Sequence, residues 1–155
     1  MKFKKADKND VESLVELRIA YLKEDYGSLT EKQINSLKEQ LPLYFKEHLN
    51  KDIYAYAAID EEEIVSIILM LVIEKPANPN FITGKTGTLL SVYTKPDYRR
   101  KGAANELLKM AIKEAEKMEL SFIDLQATKD GYPLYLKNGF VEQKNEYVPM
   151  KYRIK

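Results

Sequence analysis

The chain has 155 residues, of which 45% are hydrophobic, and it carries 25 basic against 24 acidic side chains for a net charge of +1. That length and hydrophobicity fit one folded unit over residues 1–155, and the charge balance gives no reason to expect nucleic acid or an anionic membrane as partner. There is no cysteine and a single histidine, which excludes disulfides, a thiol nucleophile and a cysteine- or histidine-rich metal site, so no metal is expected.

The N-terminus, Met1-Lys-Phe-Lys-Lys-Ala-Asp7, has no apolar core of a signal peptide, and no stretch of about 18 apolar residues follows anywhere, so the cytoplasm is the expected location. Residues 2–6 read as a short first strand. Asp7 is placed to cap a helix running to about Glu24, with Val11, Leu14, Val15 and Leu22 on its apolar side and Leu17 and Ile19 widening it. Tyr26-Gly27-Ser28 breaks that helix. Thr30-Glu-Lys-Gln33 matches a capping box and starts a second, whose apolar face continues through Ile34, Leu37, Leu41, Tyr44 and Phe45. Pro42 is expected to kink or split it. His48 lies in register with this face and reads as a packed or capping residue, since a general base needs a visible partner.

Ile53 to Ile59 is a strand, Asp60-Glu-Glu-Glu63 a charged turn, and Ile64 to Ile73 a nearly all-apolar strand rich in β-branched residues. Together they read as a hairpin whose second strand is central in a sheet. The acidic turn reads as a solvated loop. Glu74 to Gly84 is a loop marked by Pro76, Pro79 and Gly84. Gly84-Lys85-Thr86 imitates the end of a phosphate-binding P-loop, but Pro79 stands where that motif needs a glycine. The following Thr86 to Val92 reads as a strand where the motif needs a helix, so nucleotide triphosphate binding is rejected.

The stretch Val92-Tyr-Thr-Lys-Pro96-Asp-Tyr-Arg99-Arg-Lys-Gly102-Ala-Ala104 organises the chain. It reads as a strand that ends at a proline, turns, and opens a helix with apolar positions at Leu107, Leu108, Ala111, Ile112, Ala115 and Met118. Three cations and a flexible residue thus sit where a helix starts. The first backbone N–H groups there lack internal partners and the helix dipole is positive, which suits phosphate. Phe122 to Ala127 forms a further strand. Pro133 opens a short helix holding Leu134, Tyr135 and Leu136, and Gly139 follows as its left-handed cap. Phe140 to Ile154 is expected to supply one or two last strands. The order β-α-α-β-β-β-α-β-α-β-β gives an α/β domain with one mixed sheet and helices on both faces.

The spacing Arg99-x-x-Gly102-x-Ala104, after a strand ending Val92-x-Thr94-x-Pro96, resembles the acetyl-CoA motif of the GNAT N-acetyltransferase superfamily. Tyr135-Leu-Lys-Asn-Gly139-Phe140 is similar to the Tyr-x-x-x-Gly-Phe near the end of those domains, and the order of the two elements agrees. The resemblance implies a GNAT-like acyl-CoA N-acyltransferase fold with a central, mostly antiparallel sheet of roughly six to seven strands and about four helices on both faces. It also implies transfer of an acetyl group from acetyl-CoA to a primary amine of a small molecule or peptide by direct attack, with no metal.

In such a fold the motif strand splays from the next, so Val92, Tyr93 and Thr94 would hydrogen-bond pantetheine and the acetyl carbonyl. Arg99, Arg100, Lys101, Gly102, Ala103 and Ala104 would wrap the pyrophosphate, and Asn105 would add a phosphate contact. Tyr135 would point its hydroxyl at the CoA sulfur as general acid, with Tyr132 as a substitute. Glu24, Asp25 and Tyr26 would border the acceptor pocket. Many family members carry a glutamate base on the motif strand. None stands between Thr86 and Val92, so a base from elsewhere or water-relayed proton loss is implied. Family members are often dimers, which allows a homodimer here. Two other classes stay open: a non-catalytic CoA-binding regulatory or interaction module, and a protein or RNA recogniser using the 11 tyrosines and the basic turn.

Overall fold

The computed structural model describes residues 1–155. Its strands are β1 (Lys2–Lys5), β2 (Ile53–Asp60), β3 (Glu63–Glu74), β4 (Lys85–Thr94) and β5 (Ile123–Asp124), and they form one sheet in that order. Neighbours pair antiparallel except β4 and β5, which are parallel. The helices are α1 (Val11–Asp25), α2 (Glu31–His48), α3 (Ala103–Lys117) and α4 (Tyr132–Lys137).

Side chains that alternate along the strands divide the core into two layers. Ile53, Ala55 and Ala57 of β2 and Ile67 and Leu69 of β3 pack against Leu14, Leu17 and Ile19 of α1 and Leu41 and Phe45 of α2. On the other face Tyr56, Ala58, Val65, Ile68 and Met70 pack against Leu107, Leu108 and Ala111 of α3 and Tyr135 of α4. Each fully buried leucine contributes about 1.5–3 kcal/mol by leaving water. This is the mixed, mostly antiparallel α/β sandwich expected from the sequence.

The caps are where the side chains ask for them. Asp7 caps a short 3-10 turn (Lys8–Asp10) that leads into α1: its carboxylate accepts from Asn9 N at 2.9 Å, and its own N–H donates to Asp10 at 2.8 Å. Thr30 and Gln33 make the reciprocal box at α2. Gly139 has φ +90°, with its N–H on Leu136 O and the Phe140 N–H on Tyr135 O, a Schellman ending closed by an edge-on Tyr135–Phe140 contact at 5.8 Å.

Four expectations are corrected. Of the kink or split expected at Pro42, the split is absent: α2 runs unbroken to His48, with Leu41 and Phe45 buried on either side of the proline. The sheet has five strands rather than six or seven. The strand expected over Phe122–Ala127 shrinks to Ile123–Asp124, because pairing with β4 ends at Thr88. From Phe140 to Ile154 there is no strand at all. Val141, Tyr147, Val148, Met150, Tyr152 and Ile154 are 72–92% exposed, and the two residues of β5 offer too short an edge to pair with. His48 stacks on Tyr44 at 4.6 Å and, against the expectation that it lacks a partner, bonds Asp52 through Nδ1 at 2.9 Å.

Candidate active site

The site grows from an irregularity in β4. Leu69 pairs with Ser91 and Met70 with Leu89, so Leu90 is an extra residue, a bulge that bends the strand. The parallel pairing with β5 stops at Thr88, just before this bulge. Beyond it, β4 has a neighbour on one side only. The Lys95 N–H donates to Val65 O at 2.9 Å, which fixes the phase of the ladder. Tyr93 and Ser91 then turn their backbone groups to β3, whereas Val92 and Thr94 turn theirs toward the vacated side. The Tyr93 carbonyl also accepts from Ser66 Oγ at 3.1 Å. Of the three strand residues singled out from the sequence, Val92 and Thr94 therefore turn backbone groups toward the vacated side, whereas Tyr93 is bound to β3 and its ring is buried in the core.

The turn after β4 is built to leave donors unused. Pro96–Tyr98 is a 3-10 turn, Arg100 adopts φ +63° and Gly102 φ +83°, and α3 begins at Ala103 with no side-chain cap. The first helical bond runs from Glu106 N to Gly102 O at 3.1 Å. From Arg100 through Asn105 no backbone N–H finds an acceptor in the chain. Such a run of aligned donors at a helix start, beside the Arg100 and Lys101 cations, is an anion cradle.

Arg99 is held rather than free. Its Nε donates to Thr94 O at 2.8 Å, its Nη2 to Glu24 Oε2 at 2.6 Å, and its guanidinium lies 5.5 Å from the Tyr93 ring centroid. Glu24 thus ties the end of α1 to the turn, next to Asp25 and the 71% exposed Tyr26. The Asn105 side chain bonds Asn138 Nδ2 at 2.9 Å, and Asn138 also bonds Leu134 O, so this residue couples α3 to α4. An Asn-Asn pair so far apart in the chain has no local signature by which to read that tie.

Tyr135 is 8% exposed, and its hydroxyl has no hydrogen-bond partner in the protein. Burial, reinforced by the nearby Tyr21 hydroxyl, pushes its pKa up to about 12. It remains a neutral phenol, a proton donor, at any physiological pH. Gly131 supports the ring from beneath: a Cβ there would stand 3.0 Å from Cε2 and 3.5 Å from the hydroxyl oxygen.

Sequence reading missed Arg18. From the inner side of α1 it donates through Nη1 to the bulged Leu90 carbonyl at 3.0 Å and to Ser91 Oγ at 2.7 Å. An arginine on a helix otherwise read for its apolar stripe carries no motif. The imitation P-loop, by contrast, is dismissed by the structure as by the sequence: Lys85 opens a strand, not a helix. The acidic turn bears Glu63, which is ion-paired to Lys95. No helix is long and apolar enough to cross a membrane.

A strand that parts from its neighbour thus runs into an uncapped helix start whose free N–H groups suit an anion. Residues 13–140 match the model of the acetyltransferase (GNAT) family. Among solved structures, a predicted acetyltransferase from Clostridium acetobutylicum with acetyl-CoA is 30% identical, covering 97% of this chain and 95% of its own, with a TM-score of 0.83. Two others share the fold. A GCN5-related N-acetyltransferase from Ralstonia eutropha JMP134 is 21% identical over 96% of this chain and 97% of its own (TM-score 0.77). An aminoglycoside antibiotic 6'-N-acetyltransferase from Acinetobacter haemolyticus is 19% identical over 100% of both chains (TM-score 0.71). No curated protein matches the sequence. The chain belongs to the GNAT acetyltransferase family.

Proposed function

We propose that the protein, as one domain over residues 1–155, is an acetyl-CoA-dependent N-acetyltransferase acting on a primary amine of a small molecule or peptide. The observation that carries this is the unbroken run of unpartnered backbone N–H groups from Arg100 to Asn105, at the end of the strand that leaves its neighbour. Those donors fit a pyrophosphate, and Arg100 and Lys101 add charge. Val92 and Thr94 would bind the pantetheine arm as a replacement strand, while Arg99, with its salt bridge to Glu24, and the Tyr93 ring hold the turn in shape. Gly102, Ala103 and Ala104 keep the cradle free of bulk, and Asn105 fixes α4 over it.

Acetyl-CoA supplies an activated acetyl thioester. A backbone N–H on the free side of β4 is placed to stabilise the oxyanion. Tyr135 protonates the departing thiolate: a phenol carries its proton at neutral pH, and no internal acceptor competes for it. β4 carries no carboxylate. Glu24 is engaged by Arg99, so Asp25 or solvent takes the amine's proton, with Asp25 and Tyr26 at the acceptor rim. The setting is the cytoplasm, and a homodimer is compatible with this reading.

The test is a titration of acetyl-CoA followed by a broad amine panel read by thiol release. Saturable binding with turnover of at least one amine supports the proposal. Binding without turnover of any amine would make the protein a CoA-binding module, and absence of binding would remove the assignment of the turn.

A further inference from the structure

Arg18 is a cation with three of its five N–H donors unused, beside β4. Nη1 makes both of its hydrogen bonds, to Leu90 O and Ser91 Oγ. Nε and Nη2 make none. These two nitrogens form the side-on edge of the guanidinium, the edge that takes both oxygens of a carboxylate at once. The side chain is half-buried on α1, with its guanidinium carbon 5.8 Å from the Tyr21 ring centroid. It belongs to no salt bridge. Asp25 is the one carboxylate that acts on it, weakly and from beyond ion-pair distance, and burial wins, lowering the guanidinium's pKa. A cation drawn partly out of water without a counter-charge is unfavourable until an anion arrives.

Holding the bulge needs only the Nη1 corner. The vacant edge has no task inside the protein. Its surroundings are those of the acceptor side: Tyr21, which also acts on the hydroxyl of Tyr135, and Tyr26, Tyr44 and Asp25. We infer that the open edge of Arg18 is a carboxylate receptor, and that the acceptor is a small amine bearing a carboxylate, of the amino-acid class. This rests on the acetyltransferase reading above and narrows its substrate. One end of such a zwitterion pairs with Arg18, while Asp25 is a counter-charge for the ammonium before it is deprotonated. An amine without the anionic end would leave the guanidinium unpaired.

The inference is tested by calorimetric titration of the CoA-loaded protein, with thiol release measured in parallel. The probes are pairs that differ only in the carboxylate: lysine against cadaverine, and alanine against alaninamide. The carboxylated member of at least one pair should bind and turn over better by about 10–100-fold, the usual scale for a charge-assisted bidentate contact. Arg18→Lys keeps the charge and a donor for Leu90 O but loses the fork, and should shrink that ratio to within a few-fold. Arg18→Gln should abolish it. Thermal melts of both variants show that the fold is kept. Equal binding of both members in each pair overturns the inference. So does an Arg18→Lys effect that lowers both members alike, which would assign the residue to β4 geometry alone. Acetyl-CoA titration of the same samples reads the underlying function separately: if acetyl-CoA binds and no carboxylated amine does, the receptor falls and the cofactor assignment stands.

Discussion

Two tyrosines in one hydrophobic cluster meet opposite ends. Tyr56, on β2, is 0% exposed, and its hydroxyl is buried without any partner. Tyr135, on α4, is 8% exposed and also makes no internal hydrogen bond, but its oxygen is not sealed. Burial raises both pKa values. Around Tyr56 the sheet is continuous, with β1 and β3 on either side of β2. Near Tyr135 the sheet parts, because β4 bulges at Leu90 and β5 ends at Asp124. The same phenol in the same apolar cluster is a stability cost where the sheet is closed and, on the function proposed above, a proton donor where it opens. What separates structure from function here is access to a ligand, not burial.

The largest expected effect tests the open end. Tyr135→Phe keeps the ring against Phe140 and removes the proton. Acetyl transfer should fall by about 10²–10⁴-fold, the range for losing a general acid. Acetyl-CoA affinity by calorimetry and the melting temperature should barely move. Full turnover in this variant would return Tyr135 to the core and erase the contrast with Tyr56.

Next comes the cradle facing the same opening. Gly102 adopts φ +83°, and a Cβ there meets nothing within 4 Å. Gly102→Val therefore clashes with no part of the protein. It strains the backbone by about 1–3 kcal/mol and projects bulk toward an approaching phosphate. The strain is shared by free and bound protein, so it is the bulk that should lower acetyl-CoA affinity, by about 10–100-fold. Unchanged affinity would show that the turn does not approach the cosubstrate.

Two parts of this site were unequally legible in the sequence. The cosubstrate side is made by backbone, and backbone geometry is written locally: Pro96 ends a strand, Gly102 supplies a left-handed residue, and a periodic apolar face marks α3. The side chains around it are brought together from distant segments. Glu24 meets Arg99, Asn105 meets Asn138 and Arg18 meets Leu90, and none of these pairs has a spacing to read. The bulge at Leu90 was equally silent, since it depends on a one-residue mismatch between two strands rather than on either strand. The last segment misled in the other direction. Met150-Lys-Tyr-Arg-Ile154 alternates like a strand, but alternation forms a strand only where an edge is present to pair with.

A smaller effect sharpens the position of the donor. At Gly131 an added Cβ would stand 3.0 Å from the Tyr135 ring and 3.2 Å from Thr128 Oγ1, with ordinary negative φ. Gly131→Ala should push the ring by a few tenths of an ångström. Turnover should fall by about tenfold, since misplacement of 1 Å is worth about 10²-fold. In the Tyr135→Phe background the same substitution should cost nothing further. An equal loss in both backgrounds would detach Gly131 from Tyr135.

The smallest effect tests the closed end. Tyr56→Phe removes a buried hydroxyl that bonds to nothing while keeping the ring among Ala58, Ile68 and Leu108. An unsatisfied buried polar group costs about 1–3 kcal/mol, so the variant should be more stable by about 1 kcal/mol. That is a rise in melting temperature of about 2–4 °C for a chain of this size, with turnover unchanged. The pH dependence gives a second reading. Burial first, then the charges of Glu114 and Tyr54, raise the Tyr56 pKa in the folded state, and Tyr135 is raised to about 12. Above about pH 10 the unfolded chain releases these protons while the folded chain keeps them. The unfolded state then binds fewer protons, so stability falls as pH rises from about 10 through 12. Tyr56→Phe removes the part of that loss due to Tyr56, so its advantage over the parent should widen between neutral pH and about pH 11. A variant that melts lower than the parent at neutral pH would mean that the Tyr56 hydroxyl has a partner. The two tyrosines would then differ in what they bind rather than in what can reach them.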